Sequence, residues 1–309
     1  MAARDRLEKI VSIAAFPILA GGAVLSLAAA LALTGRLTTG WILPTTGVAI
    51  ALACAFEWFI PYRSEWSSWS DKSIPSDIGH FILSLASSEN LAPLVTTWLL
   101  VKGAALAGGP LVDLFDDNFP LSVNILLSLG ASQFLDYWRH RALHVAPALW
   151  PVHSIHHAIP RFNATKTTRN HFLDTLSRQL FIYVPLLALG APPVAMLLDA
   201  ALITLIGIPA HSNIAFRIPA FVHRLVATPH VHRIHHNRDA SLANGNYGTV
   251  VPWFDMIFGT YRAPESVDVA REIVGVVDHP VPRNFLAEVA APVLWPWFVN
   301  RARHTPEHV

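Results

Sequence analysis

The sequence predicts an all-α integral membrane protein: a helical bundle of about four spanning helices or their equivalents, one of them a hairpin, under a cytoplasmic helical cap rich in histidine. Three observations carry this expectation. Of 309 residues, 53% are hydrophobic and only 14% charged, where a soluble domain carries about 25% charged residues, and the mean hydropathy is +0.42. Long uncharged runs recur, each near the ~20 residues that span a bilayer. The chain has 16 histidines, most of them clustered in polar stretches between those runs. A formal charge of +1 argues against a nucleic-acid binder, and the single cysteine, Cys54, excludes both a disulfide framework and a CxxC metal site.

Along the chain, Ile10 to Leu33 is free of charge and follows Arg4, Arg6 and Lys9. It is longer than a signal h-region, so it reads as a retained first helix. Trp41 to Ile60 is a second span, broken only by Glu57, with Trp58, Trp66 and Trp69 as an interfacial belt. Asp77 to Leu100 has helical periodicity but carries Asp77, His80 and Glu89. It reads as one helix or as an interfacial helix leading into a span. The acids Asp113, Asp116 and Asp117 mark a break, after which Leu121 to Trp138 reads as a membrane helix. Leu180 to Ala210 is apolar but interrupted at Gly190, Pro192 and Pro193, which predicts two half-length helices in a hairpin. The polar stretches Arg139–Arg178 and His211–Tyr261 are rich in arginine and histidine, which places both on the cytoplasmic side. The whole of 1–309 is read as one membrane domain, with 121–261 as its core.

Three histidine clusters follow. On a helix, residues four apart share a face, so His140 and His144 converge, and Asp136, one turn earlier, is placed to orient a ligating imidazole or to ligate directly. His153, His156 and His157 form an HxxHH box, and His232, His235 and His236 form another. Successive helical residues point about 100° apart, so each tandem pair reaches two different ions, and the site is expected to be dimetal. Imidazole suits Fe, Zn, Cu and Ni alike, and residue type alone does not choose between them. His171 and His211 are candidate additional ligands. His80, His223, His230, His279, His304 and His308 fit no box and read as solvated or interfacial. Arg139, Arg141, Arg161, Lys166, Arg169 and Arg233 are candidates for docking an acidic partner or a lipid head group, or equally for anchoring loops at an anionic membrane surface.

These motifs resemble the fatty acid hydroxylase superfamily, also called the sterol desaturase family. The resemblance rests on Asp136-x3-His140-Arg-x2-His144, on His153-x2-His156-His157, and on Thr228-Pro229-x2-His232-Arg233-x-His235-His236. Asn246-Tyr247-Gly248 through Asp255 to Phe258-Gly259-Thr260-Tyr261 resembles the closing signature, with Phe254 where the family has tryptophan. The pattern is similar to bacterial sterol-desaturase-like and alkylglycerol-monooxygenase-like members; Ala215 departs from the fatty acid 2-hydroxylase branch. The resemblance implies a membrane-bound non-haem di-iron oxygenase that hydroxylates or desaturates a lipid of the sterol, fatty acyl or ether-lipid class. It implies two Fe ions (replaceable by zinc on purification), O2 as co-substrate, ligation by His171 and His211 too, and Asn213 and Asp255 beside the ligands. The implied location is a bacterial inner membrane with the site facing the cytoplasm. With no GxGxxG, flavin motif or CxxCH, the electrons are expected from a separate ferredoxin, or cytochrome, with its reductase. The rivals are a zinc-dependent membrane hydrolase, for which HExxH is lacking, and a metal transporter, whose ligands would sit at mid-membrane.

Overall fold

The computed structural model describes residues 2–66, 70–107, 114–115, 119–267 and 273–304. Trp69, Asp113, Asp116, Asp117, His308 and the His304 side chain lie outside that description. The described residues are helical, with no strand beyond the isolated bridges Pro61–Ile214 and Asn237–Val274. The protein is a membrane protein: three helices are long and apolar enough to cross a bilayer, over Arg4–Thr34, Thr39–Phe59 and Pro193–His211.

The first of these joins α1 (Ala2–Phe16) to α2 (Gly22–Thr34) through a π turn that starts at Pro17. A proline has no N–H for the ladder, and one extra residue in the turn absorbs the defect. The second span is α3 (Thr39–Phe59). The ambiguous third segment is one helical run: α4 (Ile74–Ala86), a π turn at Ser87–Leu91, and α5 (Ala92–Ala107) containing Pro93. Then come α6 (Leu121–Val145), α7 (Trp150–His157) and α8 (Phe172–Arg178), followed by a π turn over Gln179–Tyr183 ahead of Pro185 in α9 (Val184–Ala188).

The expected break at Gly190–Pro193 is present, with Gly190 at φ 86°, but the hairpin is unequal. Its second arm, α10 (Pro193–His211), is itself of spanning length. Short helices follow at α11 (Pro229–His235), α12 (Ala240–Ala243) and α13 (Trp253–Ile257), and the described residues end in α14 (Phe285–His304). α6, expected as a span, carries Asn124, Ser128, Ser132 and Asp136 on its buried side and does not qualify by hydropathy.

α10 is the hub. The largest core cluster joins its Ala201, Leu205, Ile206 and Ile208 to Leu19, Leu27 and Ala53 of the first two spans. Its one acid, Asp199, is fully buried and accepts hydrogen bonds from Ser132, Gln133 and Tyr183. These donors answer the penalty of a carboxyl in an apolar helix and pin α10 to α6. At the far end of α3, Glu57 is buried; its Oε1 accepts from the backbone N–H of Ala164 (2.7 Å) and of Asn213 (2.9 Å). One carboxylate thus ties two polar loops to the end of a spanning helix, where the ends of α6 and α10 also deliver His140, His144 and His211.

Glu57→Ala leaves both N–H groups buried without this acceptor, at a cost of about 1–3 kcal/mol each. A lowered melting temperature in detergent is expected, with Glu57→Gln, which keeps an oxygen acceptor, closer to wild type; equal melting of all three proteins would remove this role.

Candidate metal centre

Each HxxHH box folds as a short helix opened by a proline, and the second also has a side-chain cap. Pro151 opens α7; Pro229 opens α11, and Thr228 Oγ1 accepts from Val231 N. Such short helices stay in place through burial, and His153, His156, His157, His232, His235 and His236 are all buried.

The imidazoles form two groups. In one, ligand nitrogens of His140, His144, His153, His157 and His235 lie within 4.8 Å of one another; in the other, so do those of His156, His211, His232 and His236. Each tandem pair is divided: His156 and His157 serve different groups, as do His235 and His236. The groups adjoin, with the His157 and His236 rings stacked at 4.1 Å.

The outer ring nitrogens show why these groups fit metal ions. His140 Nδ1 donates to Tyr247 O (2.6 Å), His156 Nδ1 to Arg169 O (3.1 Å), His211 Nδ1 to Gly207 O (2.9 Å), and His235 Nδ1 to Gly245 O (2.8 Å). His153 Nδ1 donates to Asp174 Oδ2 at 2.6 Å. A neutral imidazole has one N–H, so these bonds leave the five Nε2 atoms as bare lone pairs. Those lone pairs face each other: His140 Nε2 is 2.9 Å from His153 Nε2 and 3.1 Å from His235 Nε2, and His211 Nε2 is 3.2 Å from His156 Nε2. Lone pairs opposed at this distance repel unless a cation lies between them. Both ring nitrogens of His236 and Nε2 of His144 are buried without a hydrogen-bond partner, again as ligands would be.

Burial, and after it the neighbouring imidazoles, holds His156, His157, His232 and His236 well below the ordinary histidine range; His235 is pushed down to about 3, chiefly by burial. The rings are therefore in the neutral form that metals require.

Nine of the ten histidines predicted as ligands converge; His171 does not. Its Nδ1 accepts from Leu173 N to cap α8 and its Nε2 donates to Val289 O, so both nitrogens are committed. Asp136 does not orient a histidine: its carboxylate takes Arg139, Arg178 and Thr249, since Tyr247 O already holds His140 Nδ1. Asp174 has that role, bridging His153 Nδ1 and Arg139 Nη1. Burial alone would raise its carboxyl, but Arg139 and then His153 hold it well below the carboxylate range. The sequence signal that could have found it is its place three residues after His171, in the first turn of the helix beside the second box.

Asp255 acts at one remove, accepting from Tyr247 N, Gly248 N and Thr260 Oγ1 and so fixing the turn whose carbonyl holds His140. Asn213 instead clasps Arg63, accepting from its N and donating to its O. Arg139, Lys166, Arg169 and Arg233 are buried rather than available for docking, and Arg233 lies 4.1 Å over the Tyr62 ring. His80, His223 and His279 are likewise not solvated: the first two are buried, and His279 Nε2 pairs with Ser154 Oγ.

A cavity of about 290 Å³ opens on both groups, reaching His140, His153, His156, His211 and His232. Its walls are α10, through Ala200, Ile203 and Gly207, and α4, through Phe81 and Leu85. The apolar half of α6 does not line it; α6 contributes Arg139 and His140 only.

Residues 125–260, just under half of the chain, match the family model described as fatty acid hydroxylase. The ornithine lipid hydroxylase OlsE of Rhizobium tropici is 28% identical over 79% of this chain and 72% of its own. Alkylglycerol monooxygenases of Homo sapiens and Danio rerio are 28% and 31% identical, each over 47% of this chain. The chain spans only 31% of the length of those monooxygenases. No solved structure matches.

Asp174→Asn is expected to weaken metal retention about 10- to 100-fold, and Asp136→Asn to weaken it less, as read by chelator competition; the reverse order would return the orienting role to Asp136. The buried histidines take up protons in the unfolded chain below about pH 6.5, but in the folded chain only at far lower pH. The metal-free protein should therefore hold its full stability above about pH 6.5 and lose it as the pH falls toward 4, by up to about 1.4 kcal/mol per pH unit for each such histidine. Melting temperatures across that range provide the check, and a flat profile would contradict it.

Proposed function

We propose, from the premise that residues 125–260 are a domain of the fatty acid hydroxylase family, that the protein is an O2-dependent oxygenase that hydroxylates a polar membrane lipid. The observation that carries this reading is the pair of adjoining imidazole groups, five and four, opening on one cavity between α4 and the apolar α10. Relatives named as an ornithine lipid hydroxylase and as alkylglycerol monooxygenases support the reaction class, and the longer match to the former favours hydroxylation of an intact polar lipid.

Two iron ions bound there would supply the activation of O2 and the attack on an unactivated C–H bond. The protein supplies position. The carbonyls of Tyr247, Arg169, Gly207 and Gly245, together with Asp174, keep the ligating nitrogens bare and aimed. α10 leads from the bilayer to the ligands, so a lipid can enter the cavity along it while Phe81 and Leu85 exclude water opposite. The reaction inserts one oxygen atom of O2 into C–H and reduces the other to water, consuming two electrons and two protons. A separate redox protein, a ferredoxin or cytochrome with its reductase, delivers those electrons on the cytoplasmic face of what we take to be a bacterial inner membrane. A hydrolytic reading needs a free carboxylate beside the ions; Asp174, the acid that lines the cavity, is committed to Arg139 and His153.

The test is metal analysis of protein purified in detergent, with Mössbauer spectra after growth on iron-57, followed by lipid profiling of expressing cells. Two exchange-coupled irons per chain and a membrane lipid gaining one oxygen atom are expected, and both should vanish in His156→Ala and His235→Ala. One zinc per chain, with no iron taken up on anaerobic reconstitution, would hand the site to hydrolytic chemistry.

A further inference from the structure

Outside the matched segment, α4 and α14 meet over a buried cluster of charges. Arg169, 2% exposed, donates from Nη1 to Asp77 Oδ1 at 2.9 Å and from Nη2 to Glu288 Oε1. The other oxygen of Glu288 takes Ser76 Oγ and faces His80 Nε2 at 3.0 Å. The second oxygen of Asp77 takes Lys166 Nζ, which also reaches Asp71. Asp77, His80, Lys166 and Glu288 are all buried. The two helices are seated closely: a Cβ on Gly79 would stand 2.7 Å from the Phe285 ring, which packs against His80 at 5.2 Å.

This cluster touches no metal ligand through its side chains, yet it ends on one. Arg169 Nε donates to Ile155 O, between the histidines of the second box, at 3.2 Å, and Arg169 O accepts His156 Nδ1 at 3.1 Å. The guanidinium is a planar fork with five donors and cannot deprotonate. Two carboxylates from two different helices therefore fix its plane, and with it the backbone of residue 169. His156 belongs to the four-histidine group, whereas His153 and His157 of the same box belong to the five-histidine group and are oriented by other means.

We infer that Glu288 of α14 and Asp77 of α4 are positioning residues for the four-histidine group, acting through Arg169 to set the ring of His156. The inference rests on the metal-binding reading above. It makes α14 part of the centre, although the helix contributes no ligand.

The experiment uses the full-length protein in detergent, loaded with cobalt(II) or iron(II), and follows the release of each ion to a chelator by absorbance and metal analysis, alongside the melting temperature of the metal-free form. In Glu288→Gln and Asp77→Asn, one of the two ions should leave roughly tenfold faster than in wild type, with the other unchanged. The metal-free Glu288→Gln protein should melt below wild type, because buried Arg169 loses one of its two carboxylates, so the readout is the difference between the two ions. Ser76→Ala, a milder loss at the same carboxylate, should give a smaller shift in the same ion and serves if the acidic variants do not fold. Release of both ions at wild-type rates, or equal acceleration of both, overturns the inference. A wild-type protein that binds no pair of ions overturns the metal-binding reading instead.

Discussion

Opposed imidazole lone pairs about 3 Å apart are the constraint around which the rest of the structure is arranged. Without a cation, such an arrangement is repulsive, and the fold must hold it from outside. It does so with backbone carbonyls from Arg169, Gly207, Gly245 and Tyr247, drawn from three separate segments of chain, and with one carboxylate, Asp174. Each acceptor fixes a tautomer and a ring plane together. The loops between the boxes are therefore a scaffold of acceptors, and their own anchors, such as Asp255 under Tyr247, are part of the same device.

What the sequence made legible follows from periodicity. The i, i+3, i+4 spacing of the boxes is local geometry, and the division of His156 from His157 and of His235 from His236 can be read from helical rotation alone. His211 was likewise visible at the end of an apolar run. The errors arise where a partner is distant in the chain. Asp136 sits one turn from His140, so local reasoning paired them, yet Tyr247, over a hundred residues away, takes the ring nitrogen first. His171 sits beside a box and is turned away to cap a helix. The basic residues looked like a surface because sequence shows charge but not the carboxylates that will bury it.

The membrane elements show the same division. Length and hydropathy located the first two spans and the break at Gly190, all local properties. α6 and α10 carry their polar residues, Ser132, Gln133 and Asp199, toward each other. A polar residue in an apolar run argues against a span when read alone and argues for helix pairing once the partner is known.

α10 is at once a candidate span and the carrier of His211, while His156, His232 and His236 stand on short helices beyond it. A nineteen-residue helix of this kind is a rod of about 29 Å, close to the thickness of a hydrocarbon core, and such a rod answers a thicker or thinner bilayer by changing its tilt. Tilt moves the end of a rod sideways, and here that end carries His211, whose neighbouring imidazoles stand on other helices. The thickness of the surrounding membrane thereby bears, through α10, on where His211 stands among the imidazoles beside it.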